Sequence, residues 1–596
     1  MLEIGMLIAN YGSKENPAWT LLATMKIMED MPQRMYAYSD IQPLTHAGTC
    51  TSPPTSWALI EEWIRTCNES HSLCSAAIHN NRNWYPTRLL HINETSDQVN
   101  IIITADVSMA EGEKYMTLSH CWGKEQQPLR LLKNNMHELK KDIAPHTLPK
   151  TYQDAVLVTK KLHMSYIWID SLCIIQDDED DWRRESSVMH EVYANGFCNI
   201  AATAAEDGSK GLFFQQDMRV LRPCLLHIPW LTKPGTAYEL LNEDFWQYSV
   251  LDAPLSRRAW VCQERLLSLW NIHFGREQVL WECRELNAAE KFPRGLLDDG
   301  PGIRYLNFKQ LDPMIQGPPV YNKDDPEPQD KRLWVYSKWQ YVIASYFRGL
   351  LTKPEDKLAA ISGIAERFRT ILQDEYVVGM WRQYLACQLL WRQDDESKFV
   401  RPKEYRAPSF SWVSLDGEVD APLGISNSNI FATTLDVSIE KDISGIATGG
   451  YLTISALMAV VKIRTALFGS SYIAYVNNCR LSKNWYIYPD VSTADGNVEY
   501  EDDDTEDSDT KAWLGCKYYL HIKQEEDEQG VLDLAEGLIL EYLPGTQGHY
   551  KRVGYASCVN ESLLEVIPIL KKGAMFESIS CKEYNHETGH HTIRIY

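Results

Sequence analysis

Two carboxylates occupy positions where an apolar residue belongs. Glu185 lies three residues after Trp182 and four before Met189, and Glu264 lies four after Trp260 and three before Leu267. Each therefore shares the apolar stripe of a helical pattern. A carboxylate turned toward a core is costly unless it is paired or functional, and burial raises its pKa. Arg183, Arg184, Arg257, Arg258 and Arg265 are near enough in sequence to serve as structural partners. Polar residues also close two strand-like runs: Ser119 and His120 after "YMTL", and Asp170, Ser171 and Cys173 in "YIWIDSLC". Ser119, His120 and Cys121 suggest a nucleophile beside a base. Neighbours on a strand point to opposite faces, however, so Ser119 and His120 do not pair directly and a Cys-His hydrolase is the lesser reading. The acids at 177 to 181 read as a solvated, helix-initiating cluster.

Metal and nucleotide signatures are sparse. Cys67, His71 and Cys74 fall at i, i+4 and i+7 of a helical pattern, one face that suits a metal. No fourth ligand is evident, and two thiols on a buried helix face are ordinary packing. "HETGH", His586 to His590, fits the H-E-x-x-H pattern but contains a glycine and runs into strand-like sequence. No metal is assigned. The chain has no GxxxxGK[ST], no GxGxxG after a strand and no GxSxG elbow.

The elements that must hold these groups alternate in type. "YMTLSHCW" is strand-like, "LPKTYQDAVLVTKKLHM" helical with Tyr152, Ala155, Val156, Thr159 and Leu162 on one face, "YIWIDSLCII" a strand, "DDWRRESSVMHEVYANG" a helix and "FCNIAATA" a strand. Such alternation predicts a parallel α/β sheet, whose carboxyl-end crevice receives the strand-end residues. A helix is expected from about 256 to 267, with strands after it. Around this core the sequence divides into a partly ordered lead-in (1–50), an N-terminal helix and hairpin (51–110), a Pro/Gly-rich linker or loop (286–330), a helical region (331–404) and a β-rich C-terminal region (405–596). That last region holds an acidic run near 499–511 expected to be disordered.

Composition sets outer limits. The 596 residues carry a formal charge of −22, against a general nucleic-acid binder. The 14 cysteines show no disulfide-module spacing and read as reduced thiols. No apolar run is long enough for a membrane span, and the N-terminal residues lack a leader's basic start, so a cytoplasmic protein is expected.

Taken together, "YMTLSHCWG", the stretch from "LPKTYQDAVLV" through "DGSKGLFF", and "PLSRRAWVCQERLLS" resemble the fungal heterokaryon-incompatibility (HET) domain, over about 111–285. The flanks "CNESHSLC", "WYPTRLLHI", "LTKPEDKLAAISGIA" and "YRAPSFSWVSLDG" are similar to extended proteins of that family. The resemblance implies an α/β fold with a TIR-like parallel sheet and flanking helices, followed here by a helical segment and a β-rich C-terminal region. It implies a role in non-self recognition and programmed cell death, by TIR-like scaffolding or by cleavage of NAD⁺ at the nicotinamide–ribose bond. "WVCQE", Trp260 to Glu264, is similar to the W-C-x-x-E context of TIR hydrolases with the cysteine displaced by one position. Glu264 is then the catalytic carboxylate, Ser119, Trp122, Asp170, Ser171 and Trp260 bind substrate, and Cys173 and Glu185 are secondary candidates. NAD⁺ enters as a substrate and no cofactor is implied. A protein partner or self-association is expected, with a nucleotide as ligand. A non-enzymatic interaction module and a protein recruited to a small-molecule (secondary-metabolite) pathway stand as alternatives.

Overall fold

The computed structural model describes residues 2–10, 18–29, 51, 54–78, 84–93, 98–110, 112–123, 129–217, 221, 225–227, 237–242, 244–296, 307–316, 332–393, 400–417, 419–420, 429–441, 447–466, 472–476, 479–480, 485–490, 510–526, 532–559 and 579–596. The chain forms two compact units, residues 1–315 with 362–364, and residues 316–361 with 365–596.

Among the described residues, the first unit contains two sheets. Strands β1 (Leu2–Asn10) and β2 (Ala18–Glu29) belong to a small four-stranded sheet. They fall in the segment read from sequence as a lead-in. Helices α1 (Pro54–Glu69) and α2 (Ser72–Ile78) follow, then the hairpin β3 (Arg88–Ile92) and β4 (Val99–Ile103).

Four parallel strands make the centre of the large sheet: β5 (Met116–Ser119), β6 (Tyr166–Ile169), β7 (Cys198–Ala201) and, after β8 (Leu225–His227) and β9 (Ala237–Asn242) of the small sheet, β10 (Asn271–Phe274). Their sequences, "MTLS", "YIWI", "CNIA" and "NIHF", are buried almost throughout, as strands covered on both faces require. Two further strands, β11 (Val279–Glu282) and β12 (Asn287–Ala289), continue the sheet antiparallel, and β3 pairs antiparallel with β6 at the other side. The full order is β12-β11-β10-β7-β5-β6-β3-β4.

The crossovers are helical. Helix α3 (Lys150–Lys161) joins β5 to β6 and buries Tyr152, Ala155, Val156 and Thr159. From β6 the chain returns past β5 through α4 (Glu179–Ser187) and α5 (Met189–Asn195) to β7. The single helix expected over this stretch is two, because Val188 leaves helical geometry between them. Helix α6 (Trp260–Leu267), preceded by a separate 3₁₀ turn at Leu255–Arg257, leads from β7 toward β10 and packs on α5. Counted in chain order, the parallel strands stand 2-1-3-4 across the sheet. The direction of winding thus reverses between β5 and β7, and the carboxyl ends of those two strands meet at that switch point, where open α/β sheets place their ligands.

The helix pair α1–α2 is docked on the β11–β12 edge. Trp63 stacks on Trp281 at 5.9 Å and donates its indole N–H to the Pro293 carbonyl at 2.8 Å.

The second unit holds helices α7 (Arg332–Phe347) and α8 (Ala359–Leu372), the middle of α8 excepted, and an eleven-stranded sheet between Thr433 and Ile595. That sheet is antiparallel except where His549–Tyr550 run alongside Arg594–Ile595. Its buried anchor is Arg552, which faces Asp490, donates to the Leu389 and Trp391 carbonyls and lies 3.2 Å from the Trp391 ring centroid. Residues 297–306 and 317–330 of the predicted linker, and 499–509 of the acidic run, lie outside the described residues. Among the described residues no helix is long and apolar enough to cross a membrane.

Candidate functional site

Strand β5 ends at Ser119, and His120, Cys121 and Trp122 follow directly at the switch point. Strand β6 ends in a single helical turn, Asp170–Cys173. The two exits are tied together by α3. The Tyr152 hydroxyl lies 2.8 Å from His120 Nε2 and 2.7 Å from Ser171 Oγ. Asp170 accepts the Ser171 backbone N–H at 2.7 Å and the Trp122 indole N–H at 2.9 Å. His120 Nδ1 is buried without a hydrogen-bond partner, 3.7 Å from an Asp170 oxygen. Burial pushes the imidazole down to about 4 despite Asp170, and the Arg258 charge works in the same direction as burial. His120 is therefore neutral at pH 7.

Helix α6 brings the second carboxylate to the same place. Glu264 is 3% exposed, and one of its oxygens has no hydrogen-bond partner. Burial raises its carboxyl to about 7, with Asp170 adding to the rise. Arg258 and the hydroxyls of Ser119 and Tyr193 oppose it. Arg258 donates a guanidinium N–H to the His120 carbonyl, which binds the turn before α6 to the β5 exit. Ser119 also exchanges hydrogen bonds with the Asn199 amide of β7 at 3.0 to 3.2 Å. A carboxyl that titrates near neutrality both holds a proton and supplies negative charge at working pH, as general acids and electrostatic stabilisers do.

Ser119, Asp170, Ser171, Trp122 and Glu264 thus converge. Trp260, at the start of α6, is half-buried and packs edge-on against Trp182 with centroids 6.4 Å apart. Cys173 is fully buried, and burial pushes its thiol up to about 12. Its place is in the packing. Glu185 is not among the converging residues: it lies 3.4 Å from Arg88, which also binds Asp181 at 2.5 Å. Its partner comes from β3 as well as from the neighbouring Arg184. The acidic run at 177 to 181 divides accordingly. Asp178 caps α4 by accepting the N–H groups of Asp180 and Asp181, and Asp181 is buried.

Residues missing from the sequence reading of the site are Tyr152, Tyr193 and Asn199. Asn199 carried a signal, as a polar residue inside the apolar run "FCNIAA". It leads across the sheet to a wholly buried network: Thr117, Asn271, and Glu282 held by Arg265 at 2.6 and 2.8 Å. Burial alone would raise Glu282, but Arg265 and His273 outweigh it and hold the carboxyl far below its usual range. This network is structural. A surface cleft of about 470 Å³, lined by Glu61, Arg65, Lys161 and His163 among others, lies apart from these groups. "HETGH" forms a turn after Asn585, so His586 and His590 do not share a helix face.

Residues 115–264 match the family described as heterokaryon incompatibility protein (HET). The chain carries a HET domain. The match begins one residue before β5 and ends on Glu264, so it spans the switch point and both strand exits. The HET domain implies a heterokaryon-incompatibility-type function. Comparison with curated proteins gives no match, and neither does comparison with solved structures.

Proposed function

We propose that this HET-domain protein cleaves the N-glycosidic bond of NAD⁺ at the β5–β7 switch point, in a response of the non-self-recognition and cell-death kind. The observation that carries the proposal is Glu264, a buried carboxyl raised to about 7 by burial, with one oxygen unpartnered at the carboxyl ends of parallel strands. Breaking the nicotinamide–ribose bond sends the bonding pair out with nicotinamide and builds oxocarbenium character on the ribose. The Glu264 carboxylate stabilises that charge, water adds its hydroxyl to the anomeric carbon, and the remaining proton passes to solvent. Ser119 and Asp170 meet the ribose hydroxyls, and Trp122, held by Asp170 at 2.9 Å, offers a stacking face as Trp260 does. The 2-1-3-4 strand order supports the TIR-like reading.

Glu264's 3% exposure favours a second reading, a scaffold whose site is closed in the single chain. Nicotinamide release from NAD⁺ separates the two, measured on wild type and Glu264→Gln with folding checked by thermal melt. Release that disappears in a folded variant supports the hydrolase. No release from folded wild type, dilute or concentrated enough to self-associate, leaves the scaffold.

A further inference from the structure

Outside the HET match, three sulfurs and one imidazole close around a single point. Cys67 on α1, His71 in the turn after it and Cys74 on α2 are joined there by Cys283, which directly follows β11. Their ligand atoms all lie within 4.8 Å of one another. His71 Nδ1 is 3.3 Å from Cys67 Sγ, 3.5 Å from Cys283 Sγ and 4.0 Å from Cys74 Sγ. A tetrahedral zinc ion, with Zn–S about 2.3 Å and Zn–N about 2.0–2.1 Å, spaces nitrogen and sulfur about 3.6 Å apart. The observed distances straddle that value. From this geometry we propose that Cys67, His71, Cys74 and Cys283 bind one structural zinc ion, which fastens the α1–α2 pair to the edge of the large sheet.

Buried thiols are common core residues, and the three are thiols rather than disulfides. Packing alone accounts for the sulfurs but not for a ring nitrogen turned into their midst, since S–H groups are poor partners for it. Four atoms around one centre suit a single tetrahedral ion with no open position, which is a structural rather than a catalytic site. The surroundings are also built for it. The Leu286 N–H reaches Cys283 Sγ at 3.2 Å, offsetting charge on three thiolates around a divalent ion. Glu285 accepts the Leu73 N–H at 2.6 Å, so the 283–286 turn and the start of α2 are already joined. His71 and Cys283 are 212 residues apart in sequence, which is why the helix pattern alone offered three donors and no fourth.

The test is the zinc content of the full chain, purified under reducing conditions from zinc-supplied cells, with cobalt substitution of the same protein. One zinc per chain is expected, along with thiolate-to-cobalt charge-transfer absorption. Both should be lost in Cys283→Ala and in His71→Ala, and both should be kept in Cys581→Ser. His71→Cys should retain the metal and strengthen the charge-transfer band, a readout that does not depend on a ligand-deletion variant folding. Chelation should lower the melting temperature of wild type. A metal-free chain whose cobalt titration shows no thiolate band would overturn the proposal. So would a Cys67–Cys74 disulfide in that reduced protein, or iron with acid-labile sulfide in place of zinc.

Discussion

Glu264→Gln should change stability in opposite ways from a simple loss of a contact. In the unfolded chain the carboxyl titrates near 4.5, and in the folded protein near 7. Between those values the folded state holds a proton that the unfolded state has released. The stabilisation is therefore fully present below about 4.5 and is lost as pH rises through 7. The interval, at about 1.4 kcal/mol per pH unit, amounts to about 3 kcal/mol. Glutamine resembles the protonated carboxyl and does not titrate. The variant should thus match wild type only below about pH 4, exceed it by about 1 kcal/mol at pH 5 and by about 3 kcal/mol at pH 8. For a cooperative unit of about 300 residues that is a rise of about 5 °C in melting temperature. The assay is thermal melting of both proteins at a series of pH values from 5 to 8, read as the difference between them. His120, pushed down to about 4, titrates below this window. Equal pH slopes for the two proteins, or a variant less stable at pH 8, would show that Glu264 is a paired structural carboxylate. A variant that is stabilised yet inactive in the nicotinamide assay would show burial energy being held at the site for chemistry.

Two further perturbations test the frame around the site. Arg88→Met should leave Asp181 and Glu185 buried without their main cation and lower stability by about 3–5 kcal/mol in denaturant unfolding; a loss under about 1 kcal/mol would mean that Arg184 alone holds both acids. Gly123→Ala should destabilise by at least about 1–2 kcal/mol, because φ is +81° there and a Cβ would stand 2.6 Å from the Asp207 Cβ; its melt should fall together with a change in tryptophan fluorescence from the adjacent Trp122.

Much of the central fold could be read from local pattern. The runs "YMTLS", "YIWI" and "FCNIA" became parallel strands because apolar residues dominate each of them, with Thr117 and Asn199 the polar exceptions that bond to each other within the sheet, and the helix after Pro149 buried the face its spacing predicted. Where the reading stopped short, the cause was distance along the chain. Arg88 pairs with Asp181 across 93 residues, and Cys283 meets His71 across 212. Sheet order makes those neighbours, and no helical or strand period encodes sheet order. The break at Val188 lies in a stretch with continuous helical periodicity, so periodicity gave no sign that the backbone would turn there.

The sharpest contrast is between two carboxylates on neighbouring elements. Glu264 and Glu282 are both buried, and each has an arginine within reach. Glu282 receives Arg265 through two parallel hydrogen bonds and a histidine besides, which more than offsets its burial. Arg258 instead donates to the His120 carbonyl, so Glu264 feels its charge while keeping an oxygen unpaired, and burial prevails. Each acid has an arginine near it in space, and the geometry of the guanidinium decides which carboxylate is held charged and which is left able to titrate at working pH. On that ground the proposed chemistry is placed on Glu264 rather than on Glu282.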